Sequence, residues 1–237
     1  MGRVSLPISK IAHRIGSVVV AAFAGLLVLS LATGVAAAQG IATDQITASD
    51  FKAPNNNPSI GMASAPVTME IWFDYQCPYC RLLWRDALPR VVSKYVASGR
   101  LRIIFKDFEF LGEDSVTTAL VGRAVWDLYP QRFFEWNIAV FATQGGENEG
   151  WASLKRIIEL SSFVLGLDGS KLSAQLEANR NRYARAIEAD MTEARVTGVE
   201  GTPTIFIESR PLDGLYSYEN ISAVIDKALI GEETVNR

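Results

Sequence analysis

This chain of 237 residues predicts an α/β fold interrupted by a block of helices. Three observations carry that prediction. An apolar, β-branched run is followed by helical and then again strand-like periodicity, which is the signature of a βαβ unit. Near the C-terminus a second strand-like run leads through a turn into a helix, as in a ββα unit. Between the two, residues 113–197 carry helical periodicity throughout.

Taken in order, the first 38 residues read as an export signal. Arg3, Lys10 and Arg14 form a basic start, Ile15 to Ala38 is uncharged, and Ala36-Ala37-Ala38-Gln39 fits small-x-small cleavage. Cleavage after Ala38 is the favoured outcome. The apolar run is also long enough to span a bilayer, which leaves retention as an N-terminal anchor as the alternative. Either way the domain that follows is expected outside the cytoplasm, periplasmic or extracytoplasmic.

Residues 39–65, with Asn55-Asn56-Asn57-Pro58, read as a linker or N-terminal extension. Val67 to Phe73 (VTMEIWF) predicts a buried strand, and Cys77 to Ala97 a helix stopped by Ser98-Gly99. Its apolar positions Leu82, Leu83, Leu88, Val91, Val92 and Tyr95 keep helical spacing, and Pro89 predicts a kink. Leu101 to Lys106 is a second strand, closing a first part at 66–112. The inserted block, 113–197, is expected to hold helices near 114–128, 131–142, 151–162, 169–178 and 180–196. Its sharpest break is Gly145 to Gly150, and its aromatics are numerous enough to build a separate small core. The second part, 198–237, carries a strand at Thr204 to Glu208, a turn at Ser209-Arg210 and a helix from Tyr218 to about Ile230. This order is the layout of a thioredoxin fold with an inserted helical domain.

The chemistry is concentrated in Cys77-Pro78-Tyr79-Cys80, which holds both cysteines of the chain. Each sulfur has only the other to bond, and a four-residue loop constrains too little of the unfolded chain to serve as a staple. At a helix N-terminus, orphan amides and the helix dipole lower the pKa of Cys77, while Pro78 fits the first turn. Cys77 is therefore the sulfur expected to be attacked, and Cys80, one turn in, the resolving one. Tyr79 is expected to be exposed beside Cys77, whereas Trp72, Phe73 and Trp84 belong to the core. The second signal is Gly201-Thr202-Pro203-Thr204 at a strand start; an arbitrary proline there would be trans, but in a thioredoxin-like domain the loop facing the cysteines carries a cis proline.

Composition narrows the alternatives. Without the leader the chain has 20 basic and 26 acidic residues, net −6, which offers no basic field to nucleic acid. The single histidine, His13, lies in the leader. Histidine-dependent nucleophilic catalysis and histidine-dependent zinc sites are thereby excluded, and two cysteines cannot form a four-thiolate site. No metal or cofactor is expected.

The sequence resembles the DsbA-like thiol–disulfide oxidoreductases. The resemblance rests on Ala65-Pro66-Val67-Thr68, Phe73 through Cys80, Gly99-Arg100-Leu101-Arg102 with Phe105-Lys106-Asp107-Phe108, Gly198 through Ile207, and Gly214 through Tyr218. It covers about residues 60–230. It implies an enzyme exchanging disulfides with unfolded or reduced exported proteins, in concert with a quinone-linked membrane oxidase or with a reductase. It carries catalytic roles onto Cys77, Cys80 and Pro203, and substrate contacts onto Thr202, with Pro78 and Tyr79 alongside. Two departures temper the oxidising strength. Strong oxidants of the family often have a histidine between the cysteines, where this chain has Pro78-Tyr79. Many relatives also place a buried glutamate six residues before the first cysteine; here that residue is Ile71, and Glu70 falls on the opposite face of the strand. Asp74, Glu109 and Lys106 are the substitutes within reach, although both acids read more simply as solvated charges.

A dithiol oxidase is the leading reading. An isomerase or reductase is the near rival, but the 28 residues between Ala38 and Val67 are too few for the dimerisation domain of DsbC-type isomerases, which favours a monomer. A non-redox holdase and a two-thiolate metal carrier are the readings from other classes.

Overall fold

The computed structural model describes residues 56–235. The leader, residues 39–55 and the ambiguous segment Asp44 to Phe51 lie outside that range. Five strands form one mixed sheet in the order β1-β3-β2-β4-β5. They are β1 (Ser59–Ile60), β2 (Val67–Phe73), β3 (Leu101–Asp107), β4 (Thr204–Ile207) and β5 (Arg210–Pro211). β2 runs parallel to β3 and antiparallel to β4. Along β2, Val67, Met69, Ile71 and Phe73 enter the main core, while Trp72 joins a second cluster on the other face with Phe108, Ala194 and Val199. Sheet alternation therefore covers both faces.

The crossover between β2 and β3 is the helical run 78–96, here α1. Its α-helical turns Pro78–Leu82 and Leu88–Val91 alternate with π-helical turns Leu83–Ala87 and Val92–Val96. The kink predicted at Pro89 is realised as this irregularity. Proline has no N–H to return to the preceding turn, and the wider turn before it accommodates the missing bond. The block then holds α2 (Glu113–Leu128), α3 (Phe133–Ala142), α4 (Leu154–Leu165) and α5 (Gly169–Thr197), and α6 (Tyr218–Val235) closes the fold. Among the described residues, no helix is long and apolar enough to cross a membrane.

Four sequence expectations change. Helices expected at 169–178 and 180–196 are one 29-residue helix, α5. Nothing between them breaks a helix: Asn179 simply donates back to the Gln175 carbonyl at 3.1 Å. The stretch read as linker contributes the edge strand β1, paired antiparallel with β3, and Pro58 O accepts from Phe105 N at 2.8 Å. Two residues are too short to show any period. Nor does the helical block keep a core of its own. Trp84 of α1 stacks on both Phe105 of β3 and Phe141 of α3, and Tyr75 stacks on Phe141, so sheet and block share one core.

At the C-terminal hairpin, Glu208 and Ser209 both have positive φ (51° and 59°), the conformation of a two-residue turn whose twist matches its strands. The turn thus lies one residue earlier than predicted.

Candidate active site

The topology brings the two sequence signals together. α1 begins after the C-terminal end of β2, and the antiparallel register sets Thr204 opposite Trp72. The residues just before β4, Thr202 and Pro203, therefore lie beside the helix start. The Thr202–Pro203 peptide is cis.

Cys77 is the N-cap of α1, with extended backbone, and Pro78 takes the first turn. Both cysteines are free thiols in this structure. The Cys77 sulfur sits 3.1 Å from the Thr202 carbonyl oxygen; the residue as a whole is only 4% exposed, and Cys80 is fully buried. These settings drive the two sulfurs apart. The Cys77 thiol falls from 9.0 to about 6: the Cys80 thiol donates to it, the amides of Cys80 and Tyr79 add to this, and burial opposes. The Cys80 thiol is pushed well above 9.0, first by burial and then by its bond to Cys77. One sulfur is held ready as thiolate and its neighbour keeps its proton.

Tyr79 is 69% exposed, as its sequence position predicts, and Trp72, Phe73 and Trp84 are buried as core residues. From Tyr79, Leu82 and Leu83 an apolar groove of about 590 Å³ runs between α1 and the segment Gly214–Tyr218, with Thr202 and Pro203 in its wall. Exposed Leu215 forms its far lip.

The acids behave differently from the sequence expectation. Glu70 does face away from the cysteines, and its carboxylate pairs with Lys106 at 3.1 Å. Lys106 also pairs with Glu193 and lies 4.7 Å from the Trp72 ring centroid, so it belongs to the opposite face of the sheet and not to the thiols. Asp74 and Glu109, read as solvated charges, are both buried. The chain folds back over them after β2 and β3, and backbone amides take the place of water. Asp74 Oδ1 accepts from Gln76 N at 2.7 Å and Ser115 Oγ at 2.6 Å; Oδ2 accepts from the amides of Phe110 and Leu111, both at 2.9 Å. Its pKa is raised by burial against the pull of those bonds. Glu109 accepts from Tyr75 N at 3.2 Å through one oxygen, and its other oxygen is buried without a partner. Burial, with Asp74 and Asp107 nearby, raises its pKa well above 4.5.

A ring of amide side chains completes the site. Gln76 donates to Leu111 O at 3.1 Å and Ser115 Oγ at 3.0 Å and accepts from Asn148 N at 2.6 Å. Gln144 donates to the carbonyls of Tyr75 (2.7 Å) and Cys77 (3.1 Å). No sequence pattern singles out these partners, which are 35 to 72 positions from the residues they hold. The one available signal was the glycine-marked break beginning at Gly145, which shows that a loop is there but not what it touches. Among the described residues, no group of three or more His, Cys, Asp and Glu side chains is arranged to hold a metal ion.

Comparison with known proteins agrees with this geometry. The family model described as Thioredoxin matches residues 54–227. Disulfide bond formation protein D of Bacillus subtilis is 25% identical over 175 residues, spanning 74% of this chain and 78% of that protein. A putative protein-disulfide oxidoreductase of Rickettsia felis is 24% identical over 191 residues, spanning 76% and 62%. Among solved structures, oxidised BdbD from Bacillus subtilis superposes with a TM-score of 0.66 at 24% identity, covering 73% of this chain and 92% of that one. Wolbachia pipientis alpha-DsbA1 gives 0.67 at 20% identity, covering 79% and 97%. The chain belongs to the thioredoxin family, shares its fold with the DsbA structures, and is a protein-disulfide oxidoreductase.

Proposed function

We propose that the chain works outside the cytoplasm as a monomeric dithiol oxidase, passing the Cys77–Cys80 disulfide to exported proteins in their reduced, unfolded state. The observation that carries this reading is the contrast between the sulfurs. A stabilised Cys77 thiolate favours the reduced pair, so the disulfide is readily given up.

In the forward direction a substrate thiolate attacks Cys77 Sγ, the Cys77–Cys80 bond breaks, and Cys80 leaves with the electron pair and takes up a proton. Burial suits Cys80 to hold that proton. The substrate's second thiolate then attacks its own sulfur in the mixed disulfide, and Cys77 leaves as the thiolate that the helix amides stabilise. The substrate loses two electrons and the pair gains them. A quinone-linked membrane partner takes those electrons back and restores the disulfide. Thr202 presents its backbone to the incoming segment, Pro203 shapes that wall, and Tyr79 and Pro78 border the apolar groove, which suits unfolded chains better than folded surfaces.

Two measurements test the proposal. Cys77→Ser abolishes oxidation of a reduced dithiol peptide; retained oxidation would end the reading. The reduction potential of the pair is expected between that of thioredoxin, about −270 mV, and that of DsbA, about −120 mV. A value at or below the thioredoxin figure would assign the chain to reduction instead.

A further inference from the structure

Gln144 lies just after α3, at the start of the loop containing Gly145 and Gly146, and is almost wholly buried. Its one amide nitrogen donates to two backbone carbonyls, Tyr75 O at 2.7 Å and Cys77 O at 3.1 Å. These carbonyls flank Gln76 on the chain that enters α1. The Cys77 carbonyl also accepts the first helical bond, from Arg81 N at 3.2 Å. Cys77 itself has no side-chain cap, and Pro78 contributes no N–H, so few bonds fix the peptide between them.

We propose that Gln144 is a positioning residue of the dithiol: by holding the carbonyls of Tyr75 and Cys77, it sets where the Cys77 sulfur lies against the helix amides and the Thr202 carbonyl. The inserted helical block thereby takes part in the redox chemistry of the thioredoxin part, through a residue that touches neither sulfur. The physical reason is directional. A hydrogen bond to a carbonyl fixes the orientation of its peptide plane, and for Cys77 that plane determines the path from sulfur to the amides of Tyr79 and Cys80. Loss of the donor takes this partner from the Tyr75 carbonyl and leaves the Cys77 carbonyl with Arg81 N alone, so both peptide planes are freer to turn. The thiolate then loses alignment with its stabilising amides, in keeping with the contribution those amides make to the acidity of Cys77.

This inference rests on the proposed redox role of Cys77, and its test separates the two. Gln144→Met keeps the volume and removes the donor. The thiolate titration of Cys77, followed by ultraviolet absorbance in the reduced protein, should move from about 6 toward 9.0 in this variant. Its reduction potential should become more negative in step. Thr143→Ala is the control: among the described residues the Thr143 hydroxyl bonds to the Ala139 and Val140 carbonyls of α3, so removing it perturbs the neighbouring position without touching the 75–77 backbone. Its titration should match the wild type. A folded Gln144→Met protein with an unchanged titration overturns the positioning role while leaving the redox reading intact. A wild type without an acidic thiol removes the redox reading itself, and the inference with it. Should Gln144→Met fail to fold, the Gln144 side-chain amide of the wild type is read by nitrogen-15 NMR. Slow solvent exchange supports the two bonds, and exchange as fast as that of an exposed glutamine overturns them.

Discussion

Two regions of this molecule bury titratable groups, and they use burial in opposite ways. At the head of α1, two thiols sit side by side with unequal solvation, and the inequality keeps one reactive. Deeper in, Arg123 of α2 is clamped between Asp107 at the end of β3 and Asp190 of α5, at 2.7 and 2.5 Å, and donates to Asn57 Oδ1 at 3.2 Å. Asp190 also accepts from Asp107 N at 3.0 Å. That cluster ties sheet, helical block and the segment before β1 into one body. The comparison teaches that a buried charge satisfied on every side is structural, whereas a sulfur satisfied mainly in its ionised form is poised for chemistry.

The two regions should respond to substitution independently. The largest effect is predicted for Arg123→Met, which leaves two buried carboxylates uncompensated. Breaking a buried pair of this kind costs about 3–5 kcal/mol. Urea denaturation would measure it, and the Cys77 titration in the folded fraction should remain near 6. A shifted titration would show that the regions are coupled.

A smaller effect, of opposite sign in each region, is predicted in the pH dependence of stability. Asp190 is raised from 3.8 to about 6, by burial first, against the pull of Arg123. It holds its proton more tightly folded than unfolded, so it withdraws stability as pH rises from 3.8 through about 6. Cys77 is lowered from 9.0 to about 6, so in the reduced protein it adds stability as pH rises from 6 to 9. At pH 7 that contribution is about 1.4 kcal/mol. The oxidised protein lacks it. Denaturation of both redox forms across this range should show a falling limb that Asp190→Asn makes shallower. A rising limb should be confined to the reduced form and absent from Cys77→Ser.

How much of this was legible in the sequence follows from where each signal is stored. β2, α1 and the C-x-x-C motif are written in consecutive residues, and hydrophobic period and turn residues report them directly. The Gly201-Thr202-Pro203 loop was readable for the same reason, and the antiparallel register of β4 on β2 supplies its placement. Long-range pairing carries no such local trace. The burial of Asp74 and Glu109 depends on the folding of the 108–115 segment over the redox loop. The Arg123 clamp joins residues 67 positions apart, and Gln144 meets the backbone of residues as distant. The shared core was missed for a related reason: aromatics within 113–197 announce burial but not against which neighbour. Phe141 packs on Phe73, Tyr75 and Trp84, all outside the block.

The central claim is that Cys77 is the acidic, attacking sulfur and Cys80 its protonated partner. Alkylation rate against pH in the reduced protein, with mass spectrometry assigning the modified cysteine, tests it most directly. The account predicts modification at Cys77 with a midpoint near 6 and Cys80 unreactive up to 9.0. A midpoint near 9.0, or first modification at Cys80, would contradict it.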